Sequence, residues 1–220
     1  MSTQTTNYLD LIERLTAGAK LELYNIDWDE YENLLSQMGD FPGHRLSYDA
    51  GRLTIVSPSL EHEDYKDFIL GLARTLSDEM NLTLESRGTA TFKRKALKKG
   101  VEPDTCFYVQ SAASVIGRRA FPNREYPPPD VVVEIDMSHD SLDKFHIYAA
   151  LGVPEIWRYD GERTRFYKLT GETYEVIQNS LAFPTLTAKV ITEHLELSKA
   201  DGHTAALKAF RQMLRSRTPS

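Results

Sequence analysis

The stretch DVVVEID, residues 130–136, decides how this chain folds. Its run of β-branched residues is typical of a strand that is buried on both faces. Because side chains alternate across a strand, Glu134 and Asp136 share one face with Val132. Burying an ionised carboxylate is unfavourable unless a positive group compensates for the lost water. The stretch therefore predicts a central strand whose two acids face a metal ion, a lysine or an arginine.

The residues that follow this strand predict a helix and then a second strand. The helix covers residues 142–151, which are predominantly apolar. Lys144 lies on the same stripe as Ile147 and Tyr148, in the first turn, where a cation opposes the helix dipole. Facing carboxylates would offset that penalty, whereas the alternative is a lysine that extends along the helix flank to water. Lys144 is therefore a candidate partner for the acids.

A second pair of acids lies upstream, at Glu102 and Asp104, on a strand predicted over residues 101–109, where alternation would place both side chains on one face. If this strand neighbours the one at 130–136, Asp104 and Glu134 can converge on one hard cation. Mg²⁺ prefers oxygen ligands and takes one or two protein carboxylates together with waters and substrate phosphates. The spacing predicts a Mg²⁺ site at these two residues, with Mn²⁺ as an alternative ion.

The rest of the chain mixes helices with strands. Helices are predicted over residues 7–17, 27–38, 60–80, 187–197 and 203–214, hairpins over 45–56 and 163–178, and further strands over 82–86 and 89–94. This mixture favours an α/β or α+β fold around one mixed sheet. We expect an N-terminal helical extension over residues 1–40, a main domain over 41–200, and a C-terminal helix and tail over 201–220.

The composition is that of an ordinary soluble globular protein, with 41% hydrophobic and 26% charged residues. A single cysteine, Cys106, excludes an intrachain disulfide and a multi-cysteine metal site. The N-terminal residues lack the pattern of a signal peptide, and no apolar run approaches the length of a membrane span. We therefore expect a cytoplasmic protein with no membrane partner.

Charge is unevenly distributed along the chain. The net charge of −6 argues against a protein that coats nucleic acid. Residues 87–124, however, contain nine basic and two acidic residues, so this segment carries +7. Such a band suits a surface that binds a polyanion such as DNA, although a solvated, lysine-rich hairpin explains it equally well.

Three segments together resemble the Uma2 family of restriction-endonuclease-like proteins. They are EPDTCFYV at 102–109, PPPDVVVEIDMS at 127–138 and DKFHIYAALGVPEIWRYDG at 143–161. The resemblance also includes SYDAGRLTIVSPSLEHE at 47–63 and the Phe183-Pro184 turn. It implies the fold of the PD-(D/E)XK nuclease-like superfamily, a restriction-endonuclease-like core with a mixed four-stranded sheet flanked by helices, within residues 41–200.

The resemblance also implies roles for particular residues. Asp104 matches the aspartate of the PD motif and Glu134 matches the second acid, and both would bind metal together with the carbonyl of Ile135. The motif places its lysine where this chain has Asp136, which would become an auxiliary group. Lys144, on the following helix, matches the displaced lysine, so Asp104, Glu134 and Lys144 are the predicted catalytic residues.

Two further residues match the first-helix region of the family, where the superfamily often carries an acid. His62 and Glu63 are therefore auxiliary candidates. His62 is equally explained as a packed, hydrogen-bonded histidine near the start of a helix. The resemblance is also compatible with a homodimer, for which the sequence identifies no interface.

Three functions are compatible with these residues. The first is a Mg²⁺-dependent endonuclease that hydrolyses phosphodiester bonds, in DNA, through metal held by Asp104 and Glu134 and through Lys144. The second is a catalytically inactive protein of the same fold that binds nucleic acid or a protein partner. In the third, the acids and Lys144 form a buried ion-pair network. All three share one fold, so the fold alone does not separate them.

Overall fold

The computed structural model describes residues 8–38, 43–118, 126–137 and 141–217 as helices, strands and their connections. The α-helices are α1 (Tyr8–Glu13), α2 (Trp28–Gln37), α3 (Leu60–Glu79), α4 (Leu142–Leu151), α5 (Ala188–Asp201) and α6 (His203–Arg217). The strands are β1 (Lys20–Leu23), β2 (Arg45–Asp49), β3 (Arg52–Val56), β4 (Glu85–Ser86), β5 (Phe92–Arg94), β6 (Lys99–Val101), β7 (Thr105–Tyr108), β8 (Val131–Ile135), β9 (Glu155–Tyr159), β10 (Thr164–Thr170) and β11 (Thr173–Ile177).

The strands form two sheets, whereas one was predicted. The N-terminal sheet has five antiparallel strands in the order β1-β3-β2-β6-β5. The central sheet has six strands in the order β11-β10-β9-β8-β7-β4, in which β8 and β9 are parallel and the other pairs are antiparallel. A mixed sheet with flanking helices confirms the predicted α+β class. No helix within the described ranges is both long and apolar enough to cross a bilayer.

Strand β8 lies inside the central sheet and follows the predicted alternation. Val131, Val133 and Ile135 pack into the core that α3, α5 and α6 cover. Val132 packs on the other face, in the cluster that contains Ile147 of α4. Because side chains alternate, Glu134 must also face α4. The strand therefore directs its buried acid toward the helix that carries Lys144.

The strand predicted over residues 101–109 is divided between the two sheets. Strand β6 ends at Val101 in the N-terminal sheet, and β7 begins at Thr105 in the central sheet. The connection is Glu102-Pro103-Asp104. Proline has no N–H to donate to a strand ladder, so it suits a point where the chain leaves one sheet for another.

The two acids of this connection bind different sheets. Glu102 Oε2 accepts a hydrogen bond from Leu46 N of β2 at 3.0 Å, and its own N–H donates to Leu46 O at 2.8 Å. Asp104 Oδ2 accepts from Ile135 N of β8 at 2.8 Å. The expectation that alternation places Glu102 and Asp104 on one face is therefore wrong, because the strand is interrupted between them.

Two local predictions near the N-terminus are confirmed, the helix over residues 27–38 and the hairpin over residues 45–56. Asp27 caps α2: its side chain accepts from Glu30 N at 2.8 Å, and the Glu30 side chain accepts from Asp27 N at 3.0 Å. Strands β2 and β3 form the predicted hairpin. Strand β1 was not predicted. It lies within residues 1–40 and pairs with β3, while the division at residues 40 and 200 stays a prediction.

Candidate active site

A cleft of about 670 Å³, including solvent at its mouth, lies between the N-terminal sheet and the start of α4. Both sheets contribute to its walls, as do the first turns of α3 and α4. It brings together six of the seven residues that sequence reasoning singled out: His62, Asp104, Glu134, Ile135, Asp136 and Lys144. The predicted catalytic residues, which are distant in sequence, thus meet in one concave site.

Asp104 is 2% exposed and is held from three sides. Its Oδ2 accepts a hydrogen bond from Ile135 N, and His62 Nε2 lies 2.8 Å from the same oxygen without the alignment of a hydrogen bond. Arg45 Nε lies 3.8 Å from Oδ1. Burial alone would raise the pKa of Asp104, but His62, Lys144 and the Ile135 N–H hold it below its usual value. Asp104 therefore stays ionised.

Glu134 is 1% exposed and has two partners on α4. Lys144 Nζ donates to Oε2 at 2.8 Å, and the Tyr148 hydroxyl donates to Oε1. Burial raises the pKa of Glu134 to about 7, and the charge on Asp104 adds to this rise, whereas Lys144 and Tyr148 oppose it. Glu134 therefore exchanges its proton near neutral pH.

Lys144 faces the acids and not the solvent, and its side chain is 15% exposed. Burial alone would lower the pKa of Lys144, but the charges on Glu134 and Asp104 outweigh burial and raise it. The ammonium group therefore stays protonated at the floor of the cleft. Its position in the first turn of α4 is explained by these carboxylates, which compensate for the unfavourable helix dipole.

Asp136 occupies the place of the motif's lysine and fixes the start of α4. Its carboxylate accepts from the backbone N–H and the hydroxyl of Ser141, each at 3.0 Å, and from Arg158 Nε. Ser141 directly precedes α4. The structure thus connects Asp136 to the helix that carries Lys144, and its oxygens are already engaged by protein donors.

The two auxiliary candidates on α3 have different surroundings. His62 lines the cleft beside Asp104. Glu63 does not line it, and accepts instead from Arg45 Nη2 at 2.7 Å and from Lys66. Because Arg45 lies between Glu63 and Asp104, Glu63 acts on the site only through that arginine.

Sequence reasoning missed two residues of the site. Arg45 begins β2 and is buried beside Asp104, and no local pattern distinguishes it from any other arginine that begins a strand. Tyr148 was recognised as part of the apolar stripe, but not as a donor to Glu134. A signal for Tyr148 does exist, because it follows Lys144 by four residues and so lies on the same face of the helix.

The donor set fits a hard divalent cation. Asp104, Glu134 and Ile135, which can offer carboxylate and carbonyl oxygens, line one cleft. Within the described ranges, no three His, Cys, Asp or Glu side chains are grouped as metal ligands. An ion held here would therefore complete its coordination with water and phosphate oxygens, as Mg²⁺ does, and not with protein ligands alone.

The basic segment 87–124 is partly neutralised in three dimensions. Most of its ion pairs join it to acids elsewhere in the chain: Lys93–Glu32, Lys95–Asp29 at 3.1 Å, Lys99–Asp49 at 2.5 Å, and Arg87–Glu85 at 3.1 Å. Arg119 and Arg124 lie outside the described residues. No basic residue of this segment is among the described residues that line the cleft. Binding of DNA through this segment stays a prediction.

Comparison with known proteins identifies one family. The Uma2 family, described as "Putative restriction endonuclease", matches residues 28–199. One solved structure with a similar chain is a "putative nuclease belonging to DUF820" from Anabaena variabilis ATCC 29413. It is 14% identical, with a TM-score of 0.49 over 67% of this chain and 89% of that chain. No curated protein matches the sequence.

Proposed function

Because the chain belongs to the Uma2 family, we propose that it is a divalent-metal-dependent endonuclease that hydrolyses phosphodiester bonds in DNA. In this proposal Asp104 and Glu134 bind Mg²⁺ or Mn²⁺ together with the carbonyl of Ile135, and Lys144 is the catalytic cation. One observation carries the proposal: the Lys144 ammonium lies 2.8 Å from a buried glutamate, in an open cleft that a second buried acid also lines.

Asp104 and Glu134 suit a cation that keeps several water molecules among its ligands. A divalent ion at this site would lower the pKa of a bound water and neutralise charge that develops on the phosphate. Asp104 is ionised before any ion binds, because its pKa is held below the usual value. Glu134, whose pKa is about 7, would bind a cation in its deprotonated form.

Lys144 is placed to stabilise negative charge on the substrate. Its ammonium group is paired with Glu134 in this structure. With Glu134 engaged by a cation, the ammonium would be available to donate to a phosphate oxygen in the same cleft. Tyr148 keeps the other oxygen of Glu134 in position, and Asp136 keeps α4 in position through Ser141.

The catalytically inactive alternative is favoured by one feature of the site. Each acid already has partners from the chain itself: Ile135 N–H and His62 at Asp104, and Lys144 and Tyr148 at Glu134. The charges of both acids are thus compensated by protein groups without an ion. A protein with such a network could bind nucleic acid or a protein partner without cleaving anything.

Cleavage assays with isosteric variants separate these functions. We expect the wild type to cleave supercoiled plasmid or single-stranded DNA in Mg²⁺ or Mn²⁺ and to be inactive in chelator. Asp104→Asn and Glu134→Gln are expected to abolish cleavage, because each removes one charged metal ligand. Asp143→Asn is the matched control, since Asp143 lines the same cleft but its side chain is 65% exposed.

Two outcomes would contradict the proposal. Metal-dependent cleavage that survives both Asp104→Asn and Glu134→Gln would show that the nuclease site lies elsewhere. A wild-type protein that cleaves neither substrate, and that binds neither Mg²⁺ nor Mn²⁺ in calorimetry, would support the inactive alternative.

A further inference from the structure

The two faces of the N-terminal sheet have different chemistry. On β2 and β3 the side chains of Leu46, Tyr48, Leu53 and Ile55 point into a hydrophobic cluster with Tyr31 of α2 and its neighbours. The alternate residues of the same strands point the other way, into the cleft. One face thus stabilises the sheet, while the other belongs to the candidate active site.

Three polar side chains on the cleft face have no hydrogen-bond partner among the described residues. Ser47 and Thr54 are paired across β2 and β3, and Arg52 lies two residues before Thr54. Within the described part of the chain, none of the three side chains makes a hydrogen bond or an ion pair, although Arg52 lies across the hairpin from Asp49 and is attracted at longer range by Glu22. The sheet therefore presents a guanidinium and two hydroxyls to the cleft, and their hydrogen-bond donors are available to a ligand.

These three groups match the chemistry of a phosphodiester backbone. A guanidinium binds phosphate oxygens with two parallel hydrogen bonds, and hydroxyls are common donors to phosphates. Apart from the His62 ring, the described residues that line the cleft include no aromatic side chain, so the site offers bases little surface for stacking. The cleft is thus equipped to bind the backbone and not to read bases.

The cleft is also narrow for a nucleic acid. Lys20 Nζ of β1 lies 3.9 Å from Asp143 Oδ2 in the first turn of α4, so the two walls meet at this pair. The volume of the cleft, which includes solvent at its mouth, is about 670 Å³, within the range of small-ligand sites. We therefore expect a single strand to fit this space better than a duplex.

We infer that Arg52, Thr54 and Ser47 hold the sugar–phosphate backbone of one nucleic-acid strand next to the bond that is cleaved, whatever its base sequence. This inference rests on the proposed function, because it places the substrate in the same cleft. It differs from the prediction for residues 87–124, several of whose basic side chains are paired with acids. In this inference the N-terminal sheet, and not the 87–124 segment, contacts the nucleic-acid backbone.

Binding measurements with the full chain test this assignment. The probes are fluorescently labelled single-stranded and duplex DNA of mixed sequence, titrated by anisotropy in Ca²⁺ at several salt concentrations, with the DNA checked for integrity afterwards. Arg52→Ala is expected to weaken binding about tenfold and to reduce the salt slope by about one. Arg52→Lys should restore the slope and only part of the affinity, because lysine cannot bind with two parallel hydrogen bonds.

The control and the second variant keep the test decisive. Arg74→Ala removes an exposed guanidinium from α3, away from the residues that line the cleft and at a helical position where alanine is favoured, and we expect wild-type affinity. Thr54→Val preserves the shape of the strand and removes one donor, with an expected severalfold loss. Thermal melts establish that each variant is folded, so weak binding is not mistaken for unfolding.

The binding measurements test the backbone contact independently of DNA cleavage. If Arg52→Ala and Thr54→Val bind as the wild type does, or if the wild type binds neither probe, the inference is overturned. If DNA binding depends on Arg52 but the wild type cleaves no DNA, the inference stands and the proposed hydrolysis fails. If the wild type cleaves DNA and Arg52→Ala changes neither affinity nor salt slope, the inference alone fails.

Discussion

Two buried glutamates on neighbouring parallel strands show how similar sequence features acquire different roles. Glu134 lies near the end of β8, and Glu155, which is fully buried, begins β9. Burial raises the pKa of both carboxyls. Glu155, however, accepts from the neutral donors Trp157 Nε1 at 2.7 Å and Ala182 N at 2.9 Å, whereas Glu134 is paired with a lysine beside a second acid.

The difference shows that burial of an acid does not by itself indicate a catalytic site. The Glu155 carboxylate has its hydrogen-bond donors inside the protein and does not line the described wall of the cleft. Its role is therefore structural. Glu134 combines three features that a structural acid does not need: a second acid, a buried cation and access to solvent through a cleft. Substitutions at the two positions should therefore separate activity from stability.

The largest expected effect is that of the substitution Glu134→Gln on the rate of DNA cleavage. Because the substitution removes a charged metal ligand, we expect the rate of DNA cleavage in saturating Mg²⁺ to fall about a thousandfold, with little change in the urea midpoint. Glu155→Gln should do the opposite. It leaves one buried N–H facing an amide NH₂, so we expect a loss of about 1–3 kcal/mol in urea unfolding and activity within a few-fold of the wild type. A folded Glu155→Gln protein that lost cleavage to the same extent would break the comparison.

A smaller effect is expected from removing the buried cation. Lys144→Met keeps the length of the side chain but not its charge, and we expect cleavage to fall about a hundredfold because charge on the phosphate is no longer stabilised. Tyr148→Phe is the matched change on the same helix face, and should reduce cleavage only severalfold because Glu134 keeps its other partner. Metal binding measured by calorimetry should survive in both variants. Equal losses of activity in the two variants would indicate that α4 only supports the fold.

The smallest effect concerns pH. The folded-state pKa of Glu134, about 7, lies above its ordinary value. In the metal-free protein, the stability that this group contributes is therefore present at low pH and is lost as the pH rises through 7. A bound cation must displace the proton, so Mg²⁺ affinity should rise up to about tenfold per pH unit below 7 and level off above it. Calorimetry from about pH 6 to about pH 8 measures this rise, and Glu134→Gln should show none.

The local parts of the site could be predicted from the sequence because they follow periodic rules. Alternation along β8 separates Glu134 from Val133, and helical spacing places Lys144 on the face of Ile147. That Asp104 and Glu134 come together depended on one further condition, that their strands are neighbours. The pairing of β7 with β8 fulfils it.

The parts that could not be predicted depend on contacts between distant segments. A strand pattern does not state which sheet a strand joins, so residues 101–109 read as one strand although β6 and β7 belong to different sheets. For the same reason the role of Arg45 stayed hidden, because its partners Glu63 and Asp104 come from two other elements. Packing within the three-dimensional fold, and not local propensity, determines these contacts.

The crossing at Glu102-Pro103-Asp104 also couples formation of the candidate site to the folding of both sheets. Glu102 is bound to the N-terminal sheet and Asp104 to the central sheet, two residues apart. A chain in which only one sheet has formed does not hold Asp104 between Arg45 and Ile135. During synthesis, Lys144 follows Asp104 by forty residues, so the acids are without their cation until most of the chain has been made. In a protein that cleaves nucleic acid, this arrangement would delay cleavage until both sheets and the start of α4 have formed.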